Sequence, residues 1–191
     1  MTEKLVHNLA DKLNNTMKAD MELVFFNRVP KVGSQSLMEL MTRLSKRNGF
    51  GWHRDKPSRM ETIVLADQDE VQLIDEIKAI NGPATYSKHV AYVNFTKHGS
   101  GSPIYINLVR DPIERLVSWY YYIRAPWYFI ERKQKYPQLR IPDPKWLRKT
   151  FDDCVLDGDE ECTYEQGVGG GLFDHRRQML FFCGMDRKTC M

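Results

Sequence analysis

The segment that most restricts the fold is MELVFFNRVPKVGSQSLMELMTRL, residues 21–44. Its first seven residues form an apolar run of the length and type that suits a buried strand. Its last part repeats apolar residues at Leu37, Leu40, Met41 and Leu44, the stripe of a helix that faces a core. Gly49 then offers a left-handed stop. Between strand and helix lies a loop of small residues holding one lysine. Strands that alternate with helices favour an α/β fold with a parallel sheet.

The alternation continues along the chain. ETIVLA (61–66) is a short candidate strand. The next helix opens at Asp67 with Glu70 in capping-box spacing, and carries Leu73, Ile74 and Ile77 on one face. Residues 84–95, ATYSKHVAYVNF, read as extended. SPIYINLV (102–109) has the near-continuous apolar character of a strand inside a parallel sheet. Pro112 is placed to begin a helix with Ile113, Leu116, Val117, Tyr120 and Tyr121 on one side. Prolines at 126, 137, 142 and 144 predict short helices and site-shaping loops thereafter. Residues 1–20 read as a polar N-terminal helix or stem, and 21–191 as one domain. A chain of 191 residues is long enough for a real core.

Charge and apolar patterning exclude several classes. No run approaches the roughly 20 apolar residues of a membrane span, and no apolar signal core follows Met1. A formal net charge of +3 is too small to imply nucleic acid. Basic residues do gather at 43–47 (RLSKR) and 132–135 (RKQK), which suits an anionic partner as well as a solvated helix face. The cysteines, Cys154, Cys162, Cys183 and Cys190, are spaced C-x7-C and C-x6-C, unlike a zinc knuckle. They form either two short disulfides in an oxidising compartment or four thiols in a reducing one. Asn14 and Asn94 each begin an N-x-T sequon, compatible with secretion.

Three places carry chemistry. In the loop, backbone N–H groups at a helix N-terminus favour an anion, and Gly33 permits close approach. Ser34 and Ser36 add hydroxyls there, and Lys31 a mobile positive charge. An ordinary capped βα turn is the alternative. The absence of a GK[ST] ending and of a Mg²⁺-binding carboxylate cluster weakens a P-loop kinase reading. Arg110 ends the strand at 102–109, where open α/β sheets bind ligands, and Ser118 follows two helical turns later. Together they could grip one phosphate; alternatively Arg110 pairs with Asp111 or caps a neighbour. His89 suits a general base if it stands beside the loop, although a strand histidine is more often structural. With no HExxH and no Cys/His zinc grouping, the expectation is transfer by Lys and Arg without metal.

These stretches resemble a known family. NRVPKVGSQS, KHVAYVNF and PIYINLVRDPIERLVSWYYYIR, in that order, are similar to the uronyl 2-O-sulfotransferases, which include heparan sulfate 2-O-sulfotransferase. FDDCVLDGDEEC and FFCGMDRKTC are similar to that family's two disulfide segments, and the resemblance runs collinearly over residues 22–191. It implies a P-loop-like three-layer fold, a central parallel sheet flanked by helices. It also implies a Golgi enzyme that moves sulfate from PAPS (3′-phosphoadenosine 5′-phosphosulfate) to a uronic-acid 2-hydroxyl of an acidic glycan. By position, Lys31 with Val32, Gly33, Ser34, Gln35 and Ser36 would hold the 5′-phosphosulfate, and Arg110 and Ser118 the 3′-phosphate. His89 would be the base, and Arg28, Arg132 and Lys133 would meet the acceptor. Family members are anchored type II membrane proteins that form oligomers; this chain shows no anchor. Their domain continues past the second cysteine pair, so the expectation is a C-terminally incomplete domain. The chain is then either a 2-O-sulfotransferase or an inactive fragment that binds PAP (the 3′,5′-bisphosphate product) or glycan.

Overall fold

The structure, a computed structural model, describes residues 19–55, 63–163 and 177–184. The chain divides into two compact units, Met1–Leu108 with Gln178–Met191, and Val109–Arg177.

The first unit is an α/β sheet with helices on its faces, as the alternation of elements requires. β1 (Leu23–Asn27), β2 (Gly51–Arg54), β3 (Ala84–Lys88) and β4 (Ile104–Ile106) pair in the order β2-β3-β1-β4. All three ladders are parallel, with Phe26 opposite both Ser87 and Ile106. Successive strand side chains point to opposite faces, and each face of β1 has its own helix. Leu23 and Phe25 pack on Leu73, Ile74 and Ile77 of α2 (Asp67–Lys78). Phe26 packs on Met38 and Met41 of α1 (Ser34–Asn48). Phe25 and Phe26 are both fully buried, so truncating either to alanine costs about 3–5 kcal/mol.

Several sequence expectations shift in detail. α1 ends at Gly49 with φ 75°, as expected. It buries Ser34, Met38 and Met41, while Leu40 and Leu44 stand 50% and 38% exposed. Ala66, not Asp67, caps α2, with no side-chain hydrogen bond; Asp67 instead meets Lys97, and Glu70 meets His98. The described part of 61–66, Ile63–Ala66, is not a strand and gives the sheet's neighbourhood one bond, from Ala91 N to the Ile63 carbonyl. The partner beside β3 is β2, whose GWHR lacks an apolar alternation. β4 is three residues long and, among the described strands, stands at one end of the order.

The second unit is helical: α3 (Pro112–Arg124), α4 (Pro126–Lys135), α5 (Pro144–Arg148) and α6 (Phe151–Leu156). Three of the four begin at a proline, and the caps Asp111, Asp143 and Thr150 accept backbone N–H bonds at the starts of α3, α5 and α6. Its centre is a cation. The Arg124 guanidinium lies 3.4 Å from the Tyr120 ring centroid and 3.9 Å from that of Trp146, and pairs with Glu161. Trp146 Nε1 donates to the same carboxylate. A Cys154–Cys162 disulfide closes the segment that carries Lys149's partners Asp157 and Asp159 nearby. Those two carboxylates hold the Lys149 ammonium well above its ordinary pKa. α7 (Arg177–Cys183) returns the chain to the first unit, where Tyr92 N donates to the Leu180 carbonyl.

Candidate functional site

β1 delivers the loop. Its last residue, Asn27, is 2% exposed; its Nδ2 donates to the Phe181 carbonyl at 2.6 Å. Asn107 Nδ2 donates to the Asn27 carbonyl at 2.6 Å, fixing the end of β1 from the β4 side. Arg28 N then bonds the Lys88 carbonyl, so the β1–β3 pairing continues one residue into the loop. Arg28, Val29 and Pro30 are buried. A turn at Pro30 and Lys31 follows, with Lys31 at φ 68°. A positive φ after proline is a feature of type II turns and normally selects glycine. A lysine here carries backbone strain, the kind kept where the side chain has a task.

Gly33 is the N-cap of α1 at φ 88°, and a Cβ built on it meets nothing within 4 Å. Conformation, not crowding, requires glycine at this position. The N-terminus of α1 has no side-chain cap and no acidic residue in its first turn. α3, α5 and α6 use their own side chains for that purpose. An uncapped helix start behind a lysine suits an anion, so the residues present fit a phosphosulfate. Ser34 is buried, whereas Gln35 and Ser36 are exposed and Val32 half-buried. Neither serine hydroxyl caps the helix.

His89 stands beside this loop. Its Nδ1 lies 2.8 Å from the Arg28 carbonyl oxygen. A carbonyl only accepts, so Nδ1 carries the proton and Nε2 of the neutral ring is the basic nitrogen. The neighbouring Lys88 ammonium is engaged by Asp55 at 3.0 Å. Burial pushes the Tyr86 phenol up to about 12 and Tyr105 higher still, which removes both as proton acceptors near neutrality. Sequence reasoning missed the Asn27–Asn107 clamp and the Lys88–Asp55 pair, for neither has a local pattern.

The other expected residues are described within their own elements. Arg110 directly precedes the Asp111 cap, and its Nε donates to Glu114 Oε2 at 3.2 Å. Ser118 is half-buried two turns into α3. In α4, Arg132 lies 5.1 Å from the Tyr128 ring centroid and donates to that phenol. Lys133 donates to the Leu139 carbonyl and lines an apolar cleft with Phe129, Ile130, Ile141 and Leu147. Asn94 is exposed, just ahead of a 3-10 turn at Thr96–His98. Cys183 is disulfide-bonded. Asn14 and Cys190 lie outside the described residues. Asp67, Glu70 and His98 bring ligating atoms within 4.8 Å of one another, a grouping the sequence did not suggest. Lys97 and His98 already partner its two carboxylates.

A family model described as the sulfotransferase family matches residues 14–183. The chain is 52% identical over 185 residues to the uronyl 2-sulfotransferase homolog pip of Drosophila melanogaster, covering 95% of this chain and 36% of that protein. It is 34% identical over 165 residues to heparan sulfate 2-O-sulfotransferase 1 of Mus musculus, covering 85% of this chain and 42% of that protein. The Homo sapiens protein of the same name gives the same figures. The chain thus spans 36% to 42% of the length of these relatives. No helix among the described residues is long and apolar enough to cross a membrane.

Proposed function

This chain belongs to the sulfotransferase family, and on that premise we propose that it transfers sulfate from PAPS to a uronic-acid 2-hydroxyl of a glycosaminoglycan or glycoprotein glycan, in the Golgi lumen. The observation that carries the reading is the pairing of the Lys31 loop with His89 through the Arg28 carbonyl. The names of the relatives support the acceptor class.

PAPS supplies an activated sulfuryl group and leaves as PAP. The chain's own residues have separable tasks. Lys31 and the loop from Val32 to Ser36 bind the phosphosulfate, through the ammonium and the N–H groups of Val32 to Gln35, since the Ser36 N–H is given to the Gly33 carbonyl. They offset negative charge that grows on the leaving oxygen. Burial of the loop's first residues, Arg28 to Pro30, keeps water from one side of it. His89 Nε2 receives the proton of the acceptor hydroxyl, and the Arg28 carbonyl holds the ring in the required tautomer. Arg110 and Ser118 are the proposed readers of the 3′-phosphate. Arg28, Arg132 and Lys133 are the proposed contacts to the polyanionic acceptor, whose affinity should fall with salt.

The test is a binding and transfer pair. Loss of charge-assisted bonds to one phosphate is worth at least about tenfold, so PAP should bind at least that much more tightly than ADP. Equal affinities would remove Arg110 and Ser118 from the site. His89→Ala should lower sulfate transfer by about 10²–10⁴-fold with PAP affinity retained. Unchanged transfer would remove His89 as the base. PAP binding by the wild-type chain without transfer to any polyuronate would favour a binding module instead.

A further inference from the structure

The Asn94-Phe95-Thr96 sequon lies outside the proposed reaction, and its geometry gives it a task of its own. Asn94 is exposed, while its neighbour Phe95 is anchored in the core at 1% exposure. Thr96 Oγ1 donates to Asn94 Oδ1 at 2.7 Å, and Lys97 N donates to the same oxygen at 3.2 Å. Both bonds fall on the carbonyl oxygen. The amide nitrogen, Nδ2, makes no hydrogen bond among the described residues. The following turn is pinned to α2 by the Lys97–Asp67 ion pair at 2.7 Å and the His98–Glu70 hydrogen bond at 2.7 Å. A group carried on Nδ2 would project from a fixed support into solvent and displace no protein contact. The Cys154–Cys162 disulfide is independent support for the compartment in which such a group is added.

We propose that Asn94 is an N-glycan acceptor occupied in the folded protein. The donor is a lipid-pyrophosphate-linked oligosaccharide. A bond forms between Asn94 Nδ2 and the sugar's C1 as the bond from C1 to the pyrophosphate oxygen breaks. The lipid pyrophosphate departs with the bonding electron pair, and Nδ2 gives up one proton. Attachment takes place on the nascent chain; the fold's part is to leave the acceptor atom exposed, so that glycosylated chains fold without rearrangement.

The inference rests on the lumenal passage in the proposed function, not on sulfate transfer. The full chain is directed into the secretory pathway of cultured cells by a cleavable signal. Intact mass is measured before and after enzymatic N-glycan release, followed by peptide mapping. The peptide that contains Asn94 should carry the glycan. Asn94→Gln should abolish that modification in protein whose Cys154–Cys162 bond still forms, and Thr96→Ala should abolish it equally. A bare Asn94 in protein whose Cys154–Cys162 bond has formed would overturn the proposal, because the bond reports arrival in the lumen. A glycan confined to Asn14 would overturn it as well. Glycosylated protein that fails to bind PAP would sink the sulfotransferase reading and leave this one standing.

Discussion

Lys31 joins two requirements that pull apart. The proposed chemistry needs an ammonium beside the helix start, while the backbone at φ 68° favours glycine. Replacing Lys31 by glycine should therefore raise stability, by about 1 kcal/mol, and abolish PAP binding. Lys31→Ala should lose the binding without the gain, and thermal melts beside PAP titrations separate the two. If Lys31→Gly melts below wild type, strain is not what the positive φ represents. The setting of this residue, a loop between a strand and a helix, was legible from the apolar run and the helical stripe on either side. Its conformation was not, because a turn's φ is set by how β1 and α1 must meet. His89 was legible as a residue type with an ordinary base's properties. Its partner, the Arg28 carbonyl 61 positions earlier, follows only from the β1–β3 register.

At the scale of elements, the second unit is organised around a desolvated ion pair. The side chains of Arg124 and Glu161 are 2% and 15% exposed. Removing one partner strands the other charge, so Glu161→Ala should destabilise this unit by about 3–5 kcal/mol. The double change Arg124→Met with Glu161→Met should cost much less than the sum, measured by chemical denaturation. Additive losses would mean that the pair is not the organising contact. Sequence periodicity could not foresee this: in α3 it placed Ile113 and Tyr121 on the buried side, yet they are 68% and 49% exposed. Arg115 and Arg124 are buried instead, and Arg124 is received by the Tyr120 and Trp146 rings and the Glu161 carboxylate. α1 shows the same limit. Leu37, Met38, Leu40, Met41 and Leu44 form an apolar arc broader than one stripe, and contact with Phe26 selects its phase. α2 had a narrow arc, and its buried face was read correctly.

For the whole molecule, the parallel sheet and the order of motifs were legible because long apolar runs and helical stripes alternate. β2 was not legible in the sequence at all, and neither was the extent of β4, as pairing partners decide both. The Cys154–Cys162 bond closes a short loop, so reduction should lower stability by about 2–3 kcal/mol, read as a loss in the second unit's melting temperature. An unchanged melt on reduction would show that the Arg124 and Lys149 contacts suffice there. The return of residues 178–184 to the first unit has a consequence for synthesis. Asn27 and the Phe181 carbonyl are 154 positions apart, and Val109–Arg177 separates them in the sequence. A ribosome releases the chain from its N-terminus, so the four strands emerge before the segment that holds Asn27 from outside the sheet. Asn27 therefore receives its Phe181 partner only after Val109–Arg177 has been made.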